Sequence, residues 1–217
     1  MDGDAFVREI ETLKAARLVA LVGAGQTSLA DGATADAAAM LKVALANEIS
    51  VSELAAAWMP DTLELDVKLA FARQAGDEAS HFQLVAERLS ALGFDAMSFV
   101  APPDNALFDY LKSLATTIER IAAGLVTLES IAYGVNENFM AYCAARGDDE
   151  TVRIYREYIQ PDERAHQLLG QRLLAKYATT PELQHAAREA VVAVLQIALE
   201  SRAAAAQRLG VACFPGC

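Results

Sequence analysis

Two nearly identical pentapeptides, Asp77-Glu-Ala-Ser-His81 and Asp162-Glu-Arg-Ala-His166, lie in the two halves of a chain whose apolar residues recur at helical spacing. On a helix, the Glu and His of E-x-x-H share one face about a turn apart. Glu78 with His81, and Glu163 with His166, can therefore each offer an oxygen and a nitrogen to a common point. A third match, Glu182 to His185, falls directly after Pro181, where the helix dipole alone favours an acid. It is read as structural, and it shows that the spacing by itself is a weak signal. The other carboxylates have to decide.

Their positions are set by the helices. With 54% hydrophobic residues, 12 Gly and 6 Pro in 217 positions, the chain is neither disordered nor a loop-rich scaffold. A first amphipathic stretch at about 4–22 carries Phe6, Ile10 and Leu13 and is expected to stop at Gly23-Ala24-Gly25. Further helices are expected from about Thr34 to Trp58, from Leu63 to Leu92 with Gly93 as the stop, from near Asn105 to Ala145, and from Glu150 to Tyr177. Asp61 is the expected cap of the third helix, and Gly147-Asp148-Asp149 the stop and restart between the fourth and fifth. A last helix runs from Pro181 to about Leu209, capped by Thr180. No strand is needed. The reading is all-α and a single domain over 1–217, a four-helix bundle at about 34–177 with accessory helices at both ends.

In two antiparallel helices joined by a tight turn, residues at equal height are equidistant from the turn. Glu48 and Glu78 have their midpoint at position 63, beside the Pro60–Thr62 break, and Glu129 and Glu163 have theirs at 146, beside Gly147. Glu53, Glu119 and Glu137 fit less well. Each E-x-x-H helix thus has a neighbour that offers a lone Glu at matching height. The long connection, 93–104, contains Pro102-Pro103. If helix four rises parallel to helix three, twelve residues, about 43 Å at full stretch, are too short for the climb. The upright course is therefore expected to begin only after about Tyr110, with the preceding piece lying across the bundle.

The pattern resembles the ferritin-like superfamily of dinuclear carboxylate proteins, in which two helices each supply one Glu and the other two each supply Glu-x-x-His. The resemblance covers about Thr34 to Tyr177 and matches Glu48, Glu78, His81, Glu129, Glu163 and His166 one by one. It implies a ferritin-like bundle of two antiparallel pairs joined by a long crossover. It also implies two metal ions, with Glu78 and Glu163 as bridging and Glu48 and Glu129 as terminal ligands; iron is favoured, and manganese or a mixed Mn/Fe pair is the rival. In the oxygen-activating branch an acid just before the bridging Glu accepts from the histidine of the opposite helix. By that resemblance Asp77 serves His166 and Asp162 serves His81. Two such acids are closer to the oxygen-activating and rubrerythrin-like branches than to storage ferritins. Ser80 and Ala165 stand where those enzymes often carry Arg, so the subfamily stays open. Tyr133, one turn after Glu129, is a candidate hydrogen-bond partner of a ligand, against the plainer reading of a core tyrosine.

Function follows the same resemblance: a non-haem dinuclear oxidoreductase using O2 or peroxide on a small-molecule substrate, with an external electron donor. The alternatives are iron oxidation or storage, and a binding protein with a vestigial site. Ala44, Leu45, Leu125 and Ala132 are the expected walls of a dry pocket. A net charge of −11 excludes nucleic acid as a main partner. No window is apolar enough to span a membrane, the N-terminus lacks the pattern of a signal peptide, and Cys143, Cys213 and Cys217 form no disulfide framework, so the reading is cytoplasmic. Cys213-Phe-Pro-Gly-Cys217 is read as a frayed tail, and the terminal helices as either a homodimer face or an outer wrap.

Overall fold

The computed structural model describes residues 1–30, 35–96, 99–100 and 105–216. All regular structure among them is helical, in seven helices. They are α1 (Gly3–Ala30), α2 (Ala37–Trp58), α3 (Leu65–Ala91), α4 (Ala106–Ser113), α5 (117–144), α6 (149–177) and α7 (Pro181–Leu209). The cap residues act as their chemistry predicts at most ends. Asp36 accepts from the Ala38 N–H, Asp148 from Thr151 and Thr180 from Leu183. Gly93 and Gly147 take the positive φ values, 88° and 73°, that end a helix without a Cβ clash. Asp61 does not cap α3; Glu64 holds that position without a side-chain bond. The expected start of α2 at Thr34, the Pro102-Pro103 pair and Cys217 lie outside the described residues.

Two boundaries differ from expectation. First, α1 does not stop at Gly23-Ala24-Gly25 but continues to Ala30. A Cβ on Gly25 would come within 2.4 Å of the Asn138 amide, so this glycine permits close helix approach and does not break the helix. Second, the predicted helix from Asn105 is split. α4 ends at Ser113, and the upright course starts at Thr117 behind a capping box in which Thr116 and Glu119 satisfy each other's backbone N–H. The upright helix was expected to begin after about Tyr110; it begins at Thr117, preceded by the separate short helix α4.

Cross-helix hydrogen bonds fix the directions. α3 and α6 are antiparallel, since Asp77 meets His166 while Asp66 meets Lys176. α5 and α6 are antiparallel through Asn136–Gln160 and Ser130–Gln167. With α2 and α3 joined by a tight turn, α2 and α6 run one way and α3 and α5 the other, which requires the long crossover between α3 and α5. α1 runs parallel to α5, as Lys14 reaches Ser130 and Asn138 reaches the Val22 carbonyl. α7 follows α1, from Gln184 on Met1 to Ala212 on Ser28. The terminal helices therefore wrap the bundle. No helix among the described residues is long and apolar enough to cross a membrane.

The core falls into two apolar clusters, one holding Val51, Phe71, Leu128 and Leu173, the other Leu45, Val85, Phe139 and Ile159. On α2, α3 and α6 the change from one cluster to the other brackets Glu48, Glu78 and Glu163, whereas on α5 it falls between Val135 and Phe139, two turns beyond Glu129. The interior is an oily bundle interrupted by one polar layer.

Close packing beside that layer depends on Gly170 of α6, where a Cβ would lie 2.6 Å from Leu125 Cβ and 2.9 Å from its backbone carbon. Backbone cannot yield as a side chain can, so overpacking exceeds the helix-propensity gain of alanine, about 1 kcal/mol. Gly170→Ala is expected to destabilise by about 1–3 kcal/mol, read as a lowered thermal midpoint; an unchanged or raised midpoint contradicts this packing.

Candidate metal centre

Six side chains from four helices meet in the polar layer: Glu48 from α2, Glu78 and His81 from α3, Glu129 from α5, and Glu163 and His166 from α6. None is more than 4% exposed. They form two groups, Glu48-Glu78-His81-Glu163 and Glu78-Glu129-Glu163-His166, in each of which one ligand atom per residue lies within 4.8 Å of all the others. Glu78 and Glu163 belong to both groups. Such a set can hold two cations side by side, with two carboxylates shared and one carboxylate and one imidazole private to each.

The imidazoles are oriented for this. His81 turns Nε2 toward Asp162 (3.2 Å) and Nδ1 toward Glu78 (3.3 Å) and Glu48 (3.6 Å). His166 turns Nε2 toward Asp77 (2.9 Å) and Nδ1 toward Glu78 and Glu129 (3.6 Å each). An Nε2–H donated outward leaves the Nδ1 lone pair aimed at the carboxylates, the tautomer a cation requires. Asp77 and Asp162 thus each serve the histidine of the opposite helix, as the resemblance implied.

The donors fit divalent ions in number and kind. Four carboxylates balance two 2+ charges, and an all-oxygen and imidazole set without thiolate suits divalent first-row cations. His166 Nδ1 and Glu163 Oε2 are buried and have no hydrogen-bond partner among the described residues. Buried polar atoms are rarely left so, and both lie within the groups a cation would bridge.

Local backbone accompanies the site. Ile121–Leu128 of α5 and Tyr155–Ile159 of α6 are π-helical turns, with Glu129 N–H bonding back to Gly124 and Gln160 N–H to Tyr155. Each is followed within a turn by Glu129 or Glu163. The extra residue per turn re-aims the following segment, a known association of π-turns with functional sites.

Outside the six, sequence reasoning missed two neighbours. Gln74, one turn before Glu78, donates to a Glu129 carboxylate oxygen. Its i−4 spacing was the available signal. Tyr155 is fully buried, its hydroxyl has no hydrogen-bond partner among the described residues, and burial followed by the nearby Glu48 charge pushes its phenol well above the usual range. Tyr133, by contrast, makes no side-chain hydrogen bond to the six. It lines a surface cavity with Glu137, Arg156 and Arg164, so its expected role beside a ligand is corrected. A sequence signal did not separate the two tyrosines.

A further enclosed cavity of about 10 Å³ lies against the cluster, walled by Asn47, Val51, Leu128, Ala132 and Gly216 together with four of the glutamates. Of the expected apolar walls only Ala132 is there. Ala44, Leu45 and Leu125 are buried in the two apolar clusters instead. Gly216 is also unexpected, because the tail is not frayed. Cys213 and Phe214 are buried, Arg202 donates to the carbonyls of Phe214 and Gly216 (2.6 Å each), and the Gly216 N–H donates to Asn136 (2.9 Å). Cys143 is an inert core thiol, pushed up to about 12 by burial. His185 and Glu182 are exposed and apart from the centre.

The chain belongs to the family described as "Protein of unknown function (DUF455)", whose model matches residues 23–208 and so includes all six clustered residues. No curated protein and no solved structure matches it.

Electrostatics of the cluster predict how it responds to pH. Burial, then Glu163, raises the Glu78 carboxyl; burial, then Glu129, raises that of Glu163. Burial, against the bonds from Glu163 and Gln74, lifts Glu129 from 4.5 to about 8. Burial opposes charging His81, but Asp162, Glu48 and Glu78 outweigh it and raise its pKa. Between the ordinary and raised values the folded state holds protons that the unfolded chain has released, so stability falls as pH rises through that window. The metal-free protein is expected to lose thermal stability from pH 5 to pH 8, with a shallower decline in Glu129→Gln. A midpoint that is flat or rising over that interval contradicts the assignment.

Proposed function

We propose that the chain is a ferritin-like dinuclear metal protein, with iron favoured over manganese, acting as an oxidoreductase that uses O2 or peroxide on a small organic substrate. The observation that carries the reading is the sharing of Glu78 and Glu163 between both ligand groups. A merely satisfied polar core has no need of two overlapping sets. The helix directions and long crossover support the ferritin-like assignment, since two antiparallel pairs joined in this way are one of its forms.

Two bound ions of this kind supply redox chemistry toward a small oxidant. The chain's own residues do the rest. Glu78 and Glu163, common to both groups, would be shared by the two ions, and Glu48 with His81 and Glu129 with His166 would hold one each. Asp77 and Asp162 fix the imidazole tautomers, and Val51, Leu128 and Ala132 keep bulk water away. Gln74 keeps Glu129 oriented. The Asp–His pairs favour catalysis over storage, because they lock the ligand set instead of letting ions pass through.

A second reading, oxidation of iron itself without an organic substrate, draws on one observation: the enclosed cavity of about 10 Å³ has room for about one water and nothing larger. Assembly size separates the two, since a storage function calls for a large closed multimer.

Metal content after anaerobic Fe²⁺ loading tests the centre. The parent chain is expected to bind two ions. Glu48→Ala removes a ligand from one group and should reduce the content toward one, whereas Glu163→Ala removes a shared ligand and should weaken both ions by about 10-fold or more. On exposure to oxygen the loaded parent should develop a new charge-transfer absorption. Variants that bind like the parent, or equal losses from Glu48→Ala and Glu163→Ala, contradict the two-site arrangement.

A further inference from the structure

A third cavity, of about 450 Å³, opens between α2, the start of α4, α7 and the C-terminal tail. Its size is that of small-molecule sites, about 300–1,000 Å³. Val43, Phe99, Leu107 and Phe214 make its walls largely apolar. Among the described residues, the charged ones lining it are all cations, Lys42, Arg202 and Arg208, in a chain with 29 acidic and 18 basic residues. Arg202 is buried and holds the tail carbonyls. Lys42 rests over the Phe94 ring at 4.1 Å. Neither Lys42 nor Arg208 has an ion-pair partner among the described residues.

Geometry orders these features. Because α2 and α7 are antiparallel, Lys42 near the start of α2 and Arg208 near the end of α7 stand at the same end of the cavity. Asn47, about one and a half turns further along α2, lines both this cavity and the enclosed one at the carboxylate–histidine cluster. Phe214 borders the outer cavity and Gly216 the inner. A Cβ on Gly216 would lie 2.8 Å from the Asn47 amide nitrogen, so the tail backbone presses directly on Asn47. Asn47 and residues 214–216 form the partition between the two spaces.

We infer that the outer cavity is the binding site for an amphipathic organic anion, held with its acid group at Lys42 and Arg208 and its apolar body directed toward Asn47 and Gly216. The inference rests on the metal-centre reading only for its consequence, that the apolar end of this anion is what a loaded centre would oxidise. O2, with two electrons and two protons from the external donor, would convert one C–H into C–OH and release the second oxygen atom as water. Charge complementarity selects the anion. A cationic amphiphile of equal length meets like charge, and a short polar anion leaves the apolar wall unfilled. The tail partition explains why the inner cavity is too small for an organic molecule in the structure described: the substrate body approaches through Asn47 and the tail.

Binding of decanoate to the full chain, followed calorimetrically with decyltrimethylammonium as the control, tests this directly. Decanoate is expected to bind and the control not to bind. Lys42→Glu with Arg208→Glu should weaken decanoate at least 10-fold, and Ser201→Phe, which fills the cavity, should do likewise without altering metal content. In the Co²⁺-loaded chain, decanoate should shift the visible absorption of the ion. Equal binding of the two amphiphiles, or binding indifferent to both sets of variants, overturns the site. Binding that leaves the Co²⁺ spectrum unmoved overturns its link to the centre. Failure of Co²⁺ to bind counts against the metal reading alone, since the decanoate measurement stands without it.

Discussion

Four carboxylates and two imidazoles gathered in a helical interior are the constraint on which the remaining structure depends. Removing an unpaired carboxylate from water costs several kcal/mol, and one neighbouring carboxylate makes the next worse. The fold can carry this layer only if the side chains share protons or cations. The raised carboxyls of Glu78, Glu129 and Glu163 are the proton solution, and the two overlapping ligand groups are the geometry of the cation solution. The apolar clusters on either side are the medium that makes the choice unavoidable.

Much of the surrounding machinery limits how far that layer can relax. Asp77 and Asp162 pin the histidines from outside, and Gln74 pins Glu129. Behind Glu129 and His166, their chain neighbours Ser130 and Gln167 bond to each other at 2.7 Å, and the buried Lys14 of α1 joins them through Ser130. Burial lowers the Lys14 ammonium pKa, against the pull of Glu11. The accessory helix therefore does more than cover apolar surface: it anchors α5 and α6 at the height of the centre. On the α2 side, Arg202 of α7 brings the tail against Asn47, next to Glu48. Both terminal elements lean on the ligand layer from opposite ends of the sequence.

The legible parts were those written in local chemistry. Long helices announce themselves by period, and Asp148, Thr180, Gly93 and Gly147 mark their ends by ordinary cap and stop preferences. The six clustered residues emerged because a tight turn converts sequence distance into height, so Glu48 could be paired with Glu78 and Glu129 with Glu163. The break at 114–116 was also written, as Thr116-x-x-Glu119, but stood within an otherwise helical pattern. Gly25 misled because glycine can either end a helix or admit a neighbouring one, and only the position of Asn138 decides. Tyr155 over Tyr133, the docked tail and the cavity at Lys42 and Arg208 depend on contacts between segments far apart in sequence. Period and spacing carry no record of such contacts.

Anomalous diffraction from crystals loaded with Mn²⁺ or Fe²⁺ tests the central claim most directly. Two peaks about 3.5–4 Å apart, both within bonding distance of Glu78 and Glu163, with His81 and His166 each reaching a different one through Nδ1, are the expected result. A single peak, peaks confined to surface carboxylates, or histidines bound through Nε2 would contradict it.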